Sequence, residues 1–215
     1  MKCKNFKRAI AMLLVCAITT GLMVVPVWAH EINANTTIRW SITVARPPTT
    51  SGRICVLRPQ ATATATTLWR ADVNYAVGHA WTTHGGGNVR AEFNHSSPNL
   101  AVESLANVPI LFPQNTLGFA APLAGGTWVA SISNPNPRPG NFRVNYAVVY
   151  SFPRYAIQSQ SIRNTVAVHE VGHVLGLGHP TSTTTISVMQ AAISNSGIRE
   201  LPQTHDRDDL RSFYG

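Results

Sequence analysis

Residues 169–179 read HEVGHVLGLGH, and this stretch decides the fold because its spacing suits a metal site built on a helix. His169 and His173 are four residues apart, so on a helix both imidazoles project from the same face and can hold one ion. Glu170 lies one residue further round the helix, beside such an ion, where a general base for a metal-bound water belongs. The pattern therefore predicts a helix that carries two metal ligands and a base.

His179 can join these residues only if the helix ends before it. Six residues beyond His173, a continuous helix would place it about 9 Å further along the axis and turned by roughly 240°. Gly176 removes this obstacle, because glycine adopts a positive φ at little cost and can end the helix and reverse the chain. Three neutral imidazoles leave the fourth position of a tetrahedral zinc ion open, which is the geometry of a catalytic site.

Two other interpretations of this stretch remain open. In the first, the histidines are ordinary residues of a buried helix. Against it, the five fixed residues of the motif are of uncommon types and would coincide by chance only about once in a hundred thousand chains of this size. The second is a protein that binds zinc without catalysis. Glu170 argues against it, because the base is the residue that inactive relatives tend to lack.

The eleven-residue motif is the zinc signature of the metzincins, and the chain resembles this family elsewhere too. Met189 follows His179 by ten residues, in Ser187-Val188-Met189, and looks like the metzincin Met-turn. The C-terminal stretch of residues 201–215 is similar to the last helix of matrixins, which typically ends in Tyr-Gly. By this resemblance, Met189 supports the imidazoles as an apolar floor and does not bind the metal.

The residue two positions after the methionine favours one branch of the family. Astacins and serralysins usually carry a tyrosine there, whereas this chain has Ala191, which indicates a matrixin-like protein. The resemblance implies an α+β domain with a twisted, mostly parallel sheet, an antiparallel edge strand and two long helices including the zinc helix. A small C-terminal subdomain ending in a helix would complete it. The catalytic domain is expected over residues 30–215, with subdomains at about 36–179 and 180–215.

The resemblance also implies where a substrate lies. An extended peptide would add main-chain hydrogen bonds to a sheet edge formed by Leu117, Gly118, Phe119 and Ala120. The wall that selects substrate side chains is expected from residues 189–193, where glutamine and alanine replace the tyrosine and proline common in matrixins.

The first 29 residues have the features of a secretory signal peptide. Lysines and one arginine precede an apolar run over residues 9–25, and Val27-Trp28-Ala29 supplies a cleavage site before His30. A membrane anchor is the alternative, although 17 residues interrupted by two threonines and a glycine are short for a span of about 20. Lipid attachment at Cys16 is disfavoured by the bulky Val15.

Composition excludes several classes of protein. Without the leader, 186 residues remain, enough for one domain, and 13 arginines against nine acidic residues lower the formal charge from +8 to +4. The arginines form no dense basic run, so nucleic-acid binding is not expected. Cys55 is the one cysteine left, so no internal disulfide is possible and a buried structural thiol is expected.

The rest of the chain alternates between extended and helical patterns. A helix is predicted over residues 67–81, and the zinc helix should begin after Ser159 or Ser161 as its N-cap. The predicted strands are residues 36–44, 89–94, 108–112, 117–120, 128–132 and 142–152. The order of strand, helix, several strands, zinc helix and a small C-terminal part is typical of an α+β protein.

Acidic residues are missing from the middle of the chain. No Asp or Glu occurs between Glu103 and Glu170, where matrixins place calcium ligands, so calcium binding is not expected and one zinc per chain is. His79, His84 and His95 lack ligand spacing and should be surface or loop residues.

These patterns together predict a secreted, extracellular zinc endopeptidase that hydrolyses peptide bonds with a zinc-activated water and Glu170 as the general base. Its partners are protein or peptide substrates. A monomer without stable membrane association after signal cleavage is expected. The alternative is a secreted, zinc-binding, matrixin-like module with weak or no proteolysis that acts by binding a partner.

Overall fold

The computed structural model describes residues 25–26, 36–45, 52–136, 138–193 and 197–215. The strands are β1 Val25–Pro26, β2 Thr36–Trp40, β3 Thr43–Ala45, β4 Arg53–Leu57, β5 Pro59–Ala61, β6 Val89–Ala91, β7 Leu100–Ser104, β8 Gly118–Ala124, β9 Thr127–Trp128, β10 Gly140–Val144, β11 Tyr146–Ser151 and β12 Ala192–Ile193. The helices are α1 Thr67–Tyr75, a π-helical segment Ala76–Trp81, α2 Thr82–His84, a 3-10 turn Pro153–Tyr155, α3 Gln160–Val174 and α4 Thr204–Tyr214.

The largest sheet has five strands in the order β5-β7-β11-β8-β9. β5, β7 and β11 run parallel, whereas β8 is antiparallel to β11 and β9 is antiparallel to β8. This mixed sheet agrees with the predicted α+β class. β9 covers β8 only at Leu123 and Ala124, so among the described residues no strand pairs with the outer edge of β8 from Gly118 to Ala121.

The other strands form three small sheets. β3 and β6 flank β4, antiparallel and parallel to it respectively, β2 pairs in parallel with β10, and β1 pairs with β12. The predicted signal peptide, residues 1–29, lies outside the described residues except for β1. No helix within the described ranges is both long and apolar enough to span a membrane.

Four of the predicted strands differ from the structure. Of residues 128–132, only Trp128 belongs to a strand, β9, and the other four form bends, a single bridge and a turn. Residues 36–44 divide into β2 and β3. Residues 142–152 include the end of β10 and all of β11, which belong to different sheets. Residues 108–112 form a turn, so this prediction was wrong: Pro109 has no N–H for a ladder, and its carbonyl accepts a hydrogen bond from Phe112 N at 2.9 Å. Ile110 is 95% exposed, so apolar character here did not indicate burial.

α3 crosses the centre of the main core, and packing holds it helical. Val166, Val168, Val171 and Val174 are all fully buried. Each β-branched residue costs at most about 0.7 kcal/mol in helix propensity, whereas burying a valine contributes about 1.5 kcal/mol or more, so burial prevails. Ser159 is the N-cap, as one of the two predicted alternatives had it, and its hydroxyl accepts from Ile162 N at 3.4 Å.

The first helical region is positioned against α3. The predicted helix over residues 67–81 is present as α1 and the π-helical segment, with Thr66 as the N-cap. Trp81, at the end of the π segment, is fully buried and donates from Nε1 to the Val168 carbonyl at 2.9 Å. This bond fixes the π segment to the helix that carries the histidine pair.

Candidate metal centre

Three imidazoles meet at the C-terminal end of α3. The Nε2 atom of His169 lies 3.0 Å from Nε2 of His173 and 3.2 Å from Nε2 of His179. Three nitrogens bonded at 2.0–2.1 Å to one tetrahedral zinc ion would be about 3.3 Å apart, so this arrangement fits zinc. Among the described residues it is the one group of three or more His, Cys, Asp or Glu side chains that could hold a metal ion.

The outer ring nitrogens determine which atoms face the centre. His169 Nδ1 lies 2.9 Å from the Val188 carbonyl, and His173 Nδ1 lies 2.7 Å from the Leu177 carbonyl. A carbonyl can only accept, so both Nδ1 atoms carry the proton, and in the neutral rings Nε2 presents a lone pair. Two lone pairs facing each other at 3.0 Å cannot hydrogen-bond, whereas a shared cation satisfies both.

Burial keeps two of these rings neutral. It lowers the pKa of His169 to about 3, with His179 adding to the shift and the Val188 carbonyl opposing it. Burial also lowers the pKa of His179 to about 4. Both imidazoles are therefore neutral at pH 7, which is the form that binds a metal.

Gly176 brings His179 to the other two histidines, as the sequence predicts. α3 ends at Val174, and Gly176 has φ +96°. A Cβ on Gly176 would also overlap the Ile38 carbonyl oxygen of β2. The turn thus depends on glycine twice, for its backbone conformation and for the close approach of a neighbouring strand.

Glu170 is fully buried, and among the described residues neither of its carboxylate oxygens has a hydrogen-bond partner. Burial raises the pKa of its carboxyl group well above the usual value, and the nearby backbone N–H of Ala120, which does not reach hydrogen-bond geometry, only partly opposes this. A buried, unpartnered carboxylate destabilises a fold and therefore points to a role in chemistry.

Strand β8 lies directly against this carboxylate. A Cβ on Gly118 would come within 3.0 Å of Glu170 Oε1 and 2.9 Å of Val166 Cγ1, so the strand packs closely only because residue 118 is glycine. Of the predicted substrate-strand residues, Leu117 precedes β8, and Gly118, Phe119 and Ala120 begin it. The structure thus brings the predicted base and the predicted substrate strand together.

Met189 is buried against the helix that carries the histidine pair. Its sulfur lies against Gly172 of α3, where a Cβ would overlap it and would come within 3.1 Å of Trp81 Cζ2. Sequence reasoning assigned no role to Gly172. The structure shows that a glycine one residue before His173 lets the methionine side chain reach the helix backbone.

Replacing Met189 with leucine should leave zinc content at about one per chain and cost less than about 1.5 kcal/mol of unfolding free energy, because the exchange roughly conserves volume and polarity. Zinc stoichiometry, activity and thermal midpoint of Met189→Leu should be measured together. Loss of zinc from a variant that stays folded would identify Met189 as a ligand.

Asp206, in α4, holds the Met-turn in place by hydrogen bonds. The sequence did not indicate this role for it. Its carboxylate accepts hydrogen bonds from Ser187 Oγ at 2.5 Å, Val188 N at 3.0 Å and Gln203 N at 2.7 Å. The carbonyl of Val188 in turn accepts from His169. Asp206 therefore holds Val188, the residue whose carbonyl orients one of the three imidazoles.

Gln190 organises the loop between His179 and the Met-turn. Its side-chain amide donates to the Thr185 carbonyl at 2.5 Å and to the Ser182 carbonyl at 3.2 Å. It occupies the expected specificity wall, residues 189–193, where the sequence departs from the matrixin pattern. Gln190 thus fixes this loop by hydrogen bonds to two of its backbone carbonyls.

The remaining predictions about single residues can be compared directly. Cys55 is fully buried, as predicted, and burial raises the pKa of its thiol to about 12. His79 and His95 are exposed and His84 is half-buried. His79 lies in the π-helical segment, and its ring contacts that of His84 at a centroid distance of 4.9 Å.

Comparison with known proteins gives one family. The Matrixin model of peptidase family M10 matches residues 60–215. Two solved structures of myroilysin are similar, each with 13% sequence identity and a TM-score of 0.41. The first match covers 79% of this chain and 95% of the myroilysin chain. The second covers 85% of this chain and 92% of the myroilysin chain. No curated protein sequence matches the chain significantly.

Proposed function

The chain belongs to the matrixin family of metallopeptidases, and we propose that it is a secreted zinc endopeptidase in which His169, His173 and His179 hold the metal and Glu170 is the general base. One observation carries the proposal. Three Nε2 atoms converge at the spacing of zinc ligands, and the residue next to His169 is a buried carboxylate whose oxygens have no hydrogen-bond partner among the described residues. A structural role explains neither feature, because both are costly unless a cation and a reacting group are bound.

Each residue has a defined part in peptide hydrolysis. Zinc, when bound, supplies a Lewis acid that polarises the scissile carbonyl and lowers the pKa of a water molecule towards about 7. Glu170 accepts the proton of that water and later delivers it to the leaving amine. Its buried position excludes bulk water, so the proton stays between the carboxylate and the reacting groups.

Strand β8 holds the substrate in this proposal. Its outer edge from Gly118 to Ala121 has no pairing strand among the described residues, so its backbone groups can bind an extended peptide. The packing of Gly118 against Glu170 places this edge beside the base. A peptide on β8 would therefore run past the reacting groups with its main chain already oriented.

The leader pattern of residues 1–29 supports secretion, and the arginines that remain without it form no nucleic-acid-binding run. The protein would thus act outside the cell on protein or peptide substrates, as a monomer without stable membrane association after the leader is removed.

Cleavage of casein with and without a chelator tests this function. The purified protein should cleave denatured casein, a chelator should abolish the cleavage, and added zinc should restore it. Zinc bound at the histidines with no cleavage of casein or gelatin would instead support the alternative, a zinc-binding module that acts by binding a partner.

Metal analysis of the purified protein should find one zinc per chain and no tightly held calcium. Calcium requires several oxygen ligands, and residues 104–169 contain no Asp or Glu. The measurement is elemental analysis, together with thermal midpoints in the presence and absence of millimolar calcium. A second zinc, or a midpoint raised strongly by calcium, would contradict this prediction.

A further inference from the structure

A cavity of about 250 Å³ lies at the junction of β2, β3, β4, β10 and the C-terminal helix. Its lining includes Arg39, Trp40, Arg53, Arg143, Phe213 and Tyr214. None of these residues belongs to the metal centre. Three of the lining residues are arginines and none is an Asp or Glu, so the charged side chains of the lining are all positive.

Two of the arginines lie side by side across a strand pair. Arg39 of β2 and Arg143 of β10 are direct register partners, and both are exposed. Like charges directly opposite each other destabilise a strand pair. No carboxylate of the described residues forms an ion pair with either of them or with Arg53, whereas Arg58, Arg90, Arg163 and Arg211 each have one.

The chain holds two of these guanidinium groups in place. Arg53 donates from Nε to Thr43 Oγ1 at 2.5 Å, which leaves its two terminal nitrogens to face other acceptors. The guanidinium carbon of Arg39 lies 5.7 Å from the centroid of the Phe213 ring, over its face. Since neither contact neutralises charge, the cavity combines ordered donors with positive charge that no ion pair among the described residues neutralises.

We propose that this cavity binds an oxyanion that carries two or more negative charges, namely a sulfate or phosphate group. Guanidinium groups present paired N–H donors that match the oxygens of such an anion, and an anion between Arg39 and Arg143 converts their repulsion into attraction. The cavity is several times larger than the roughly 30 Å³ share of one water molecule, so it also admits the group as an ester on a larger ligand.

The cavity is connected to the end of the metal-binding helix. Trp40 N donates to Tyr214 Oη at 2.7 Å, and Tyr214 Oη donates to the Leu175 carbonyl at 2.9 Å. Leu175 is the C-cap of α3. Because these bonds exist only in the folded chain, an anion that orders β2 and the C-terminal helix stabilises the native state, and binding can be read from thermal unfolding.

The test is thermal unfolding of the full chain in increasing inorganic sulfate, inorganic phosphate or a heparin-derived sulfated hexasaccharide, with chloride at matched ionic strength as the reference. The midpoint should rise to a plateau with each of the three anions, and acetate should act more weakly. Arg39→Gln and Arg143→Gln should raise the half-saturating concentration at least tenfold. In chloride the same variants should be as stable as the wild type or more so, because the repulsion is removed.

Arg70→Gln is the matched control, since Arg70 is exposed on α1, lies outside the cavity and forms no ion pair with any described residue. It should stay within twofold of the wild type. If the hexasaccharide binds more tightly than sulfate through the same arginines, the ligand is a sulfate or phosphate ester on a larger molecule. If the two bind equally, the ligand is a free ion. A thermal midpoint that rises without reaching a plateau, or that rises equally in all three variants, would indicate a general salt effect and would overturn the proposal.

Discussion

The Glu170→Ala variant should keep about one zinc per chain and lose turnover by about 10²-fold or more, the scale expected for removal of a general base. Its ligand set is untouched, because Glu170 follows His169 on α3 and the three converging nitrogens belong to other residues. Initial rates on a quenched fluorescent peptide, measured beside zinc content, separate the two effects.

Glu170→Gln is the sharper comparison, because glutamine has nearly the same shape and cannot accept the proton. The native carboxylate is fully buried without a hydrogen-bond partner among the described residues, so its burial costs free energy in the native state. The thermal midpoint of Glu170→Gln should therefore not fall, while its turnover should fall as far as that of the alanine variant. Near-normal cleavage by either variant would remove Glu170 from the mechanism.

The metal centre could be predicted from sequence because its geometry is local. Helical periodicity determines where His169 and His173 point, and a positive φ at Gly176 determines how the chain returns to His179. All three fall within eleven residues, so no knowledge of the distant fold was needed. The conclusion that the rings converge followed from backbone geometry alone.

The supports of the centre could not be predicted in the same way. Asp206 reaches Ser187 across 19 residues, and the contact of Gly172 with Met189 spans 17. Neither pair has a spacing that marks it, because each depends on how the C-terminal part folds back onto α3. Gly118 beside Glu170 is a longer-range case of the same kind.

Strand predictions were poorest where apolar runs had no single sheet to join. β11 is buried on both faces. Val149 packs into the larger hydrophobic cluster, which includes the valines of α3, and Val148 packs into a second cluster with Phe119. The sequence of β11 therefore shows no alternation of apolar and polar residues. The run continues back into β10, which pairs with a different strand. Periodicity shows that a segment is extended, but the partner is decided by tertiary packing.

Replacing His179 with alanine should remove zinc and metal-linked stability together. Its Nε2 lies 3.2 Å from that of His169, beyond the Gly176 turn, so an ion held by both ties α3 to the returning chain. With a ligand present at a thousandfold excess over its dissociation constant, binding contributes about 4 kcal/mol to the native state. The variant should lose a stabilisation of this order, because two imidazoles alone hold the ion much more weakly.

Chelation distinguishes this loss from a packing defect. In excess chelator the wild type and His179→Ala should unfold at nearly the same temperature. Added zinc should raise the thermal midpoint of the wild type only. His205→Ala is the matched control, since His205 is exposed on α4, 3.4 Å from Asp209, and its removal should leave zinc content unchanged. If His179→Ala retained full zinc occupancy, the third ligand would lie elsewhere and the three-histidine centre would be wrong. Asp206 would be a poor replacement, because its carboxylate oxygens already accept hydrogen bonds from Ser187, Val188 and Gln203.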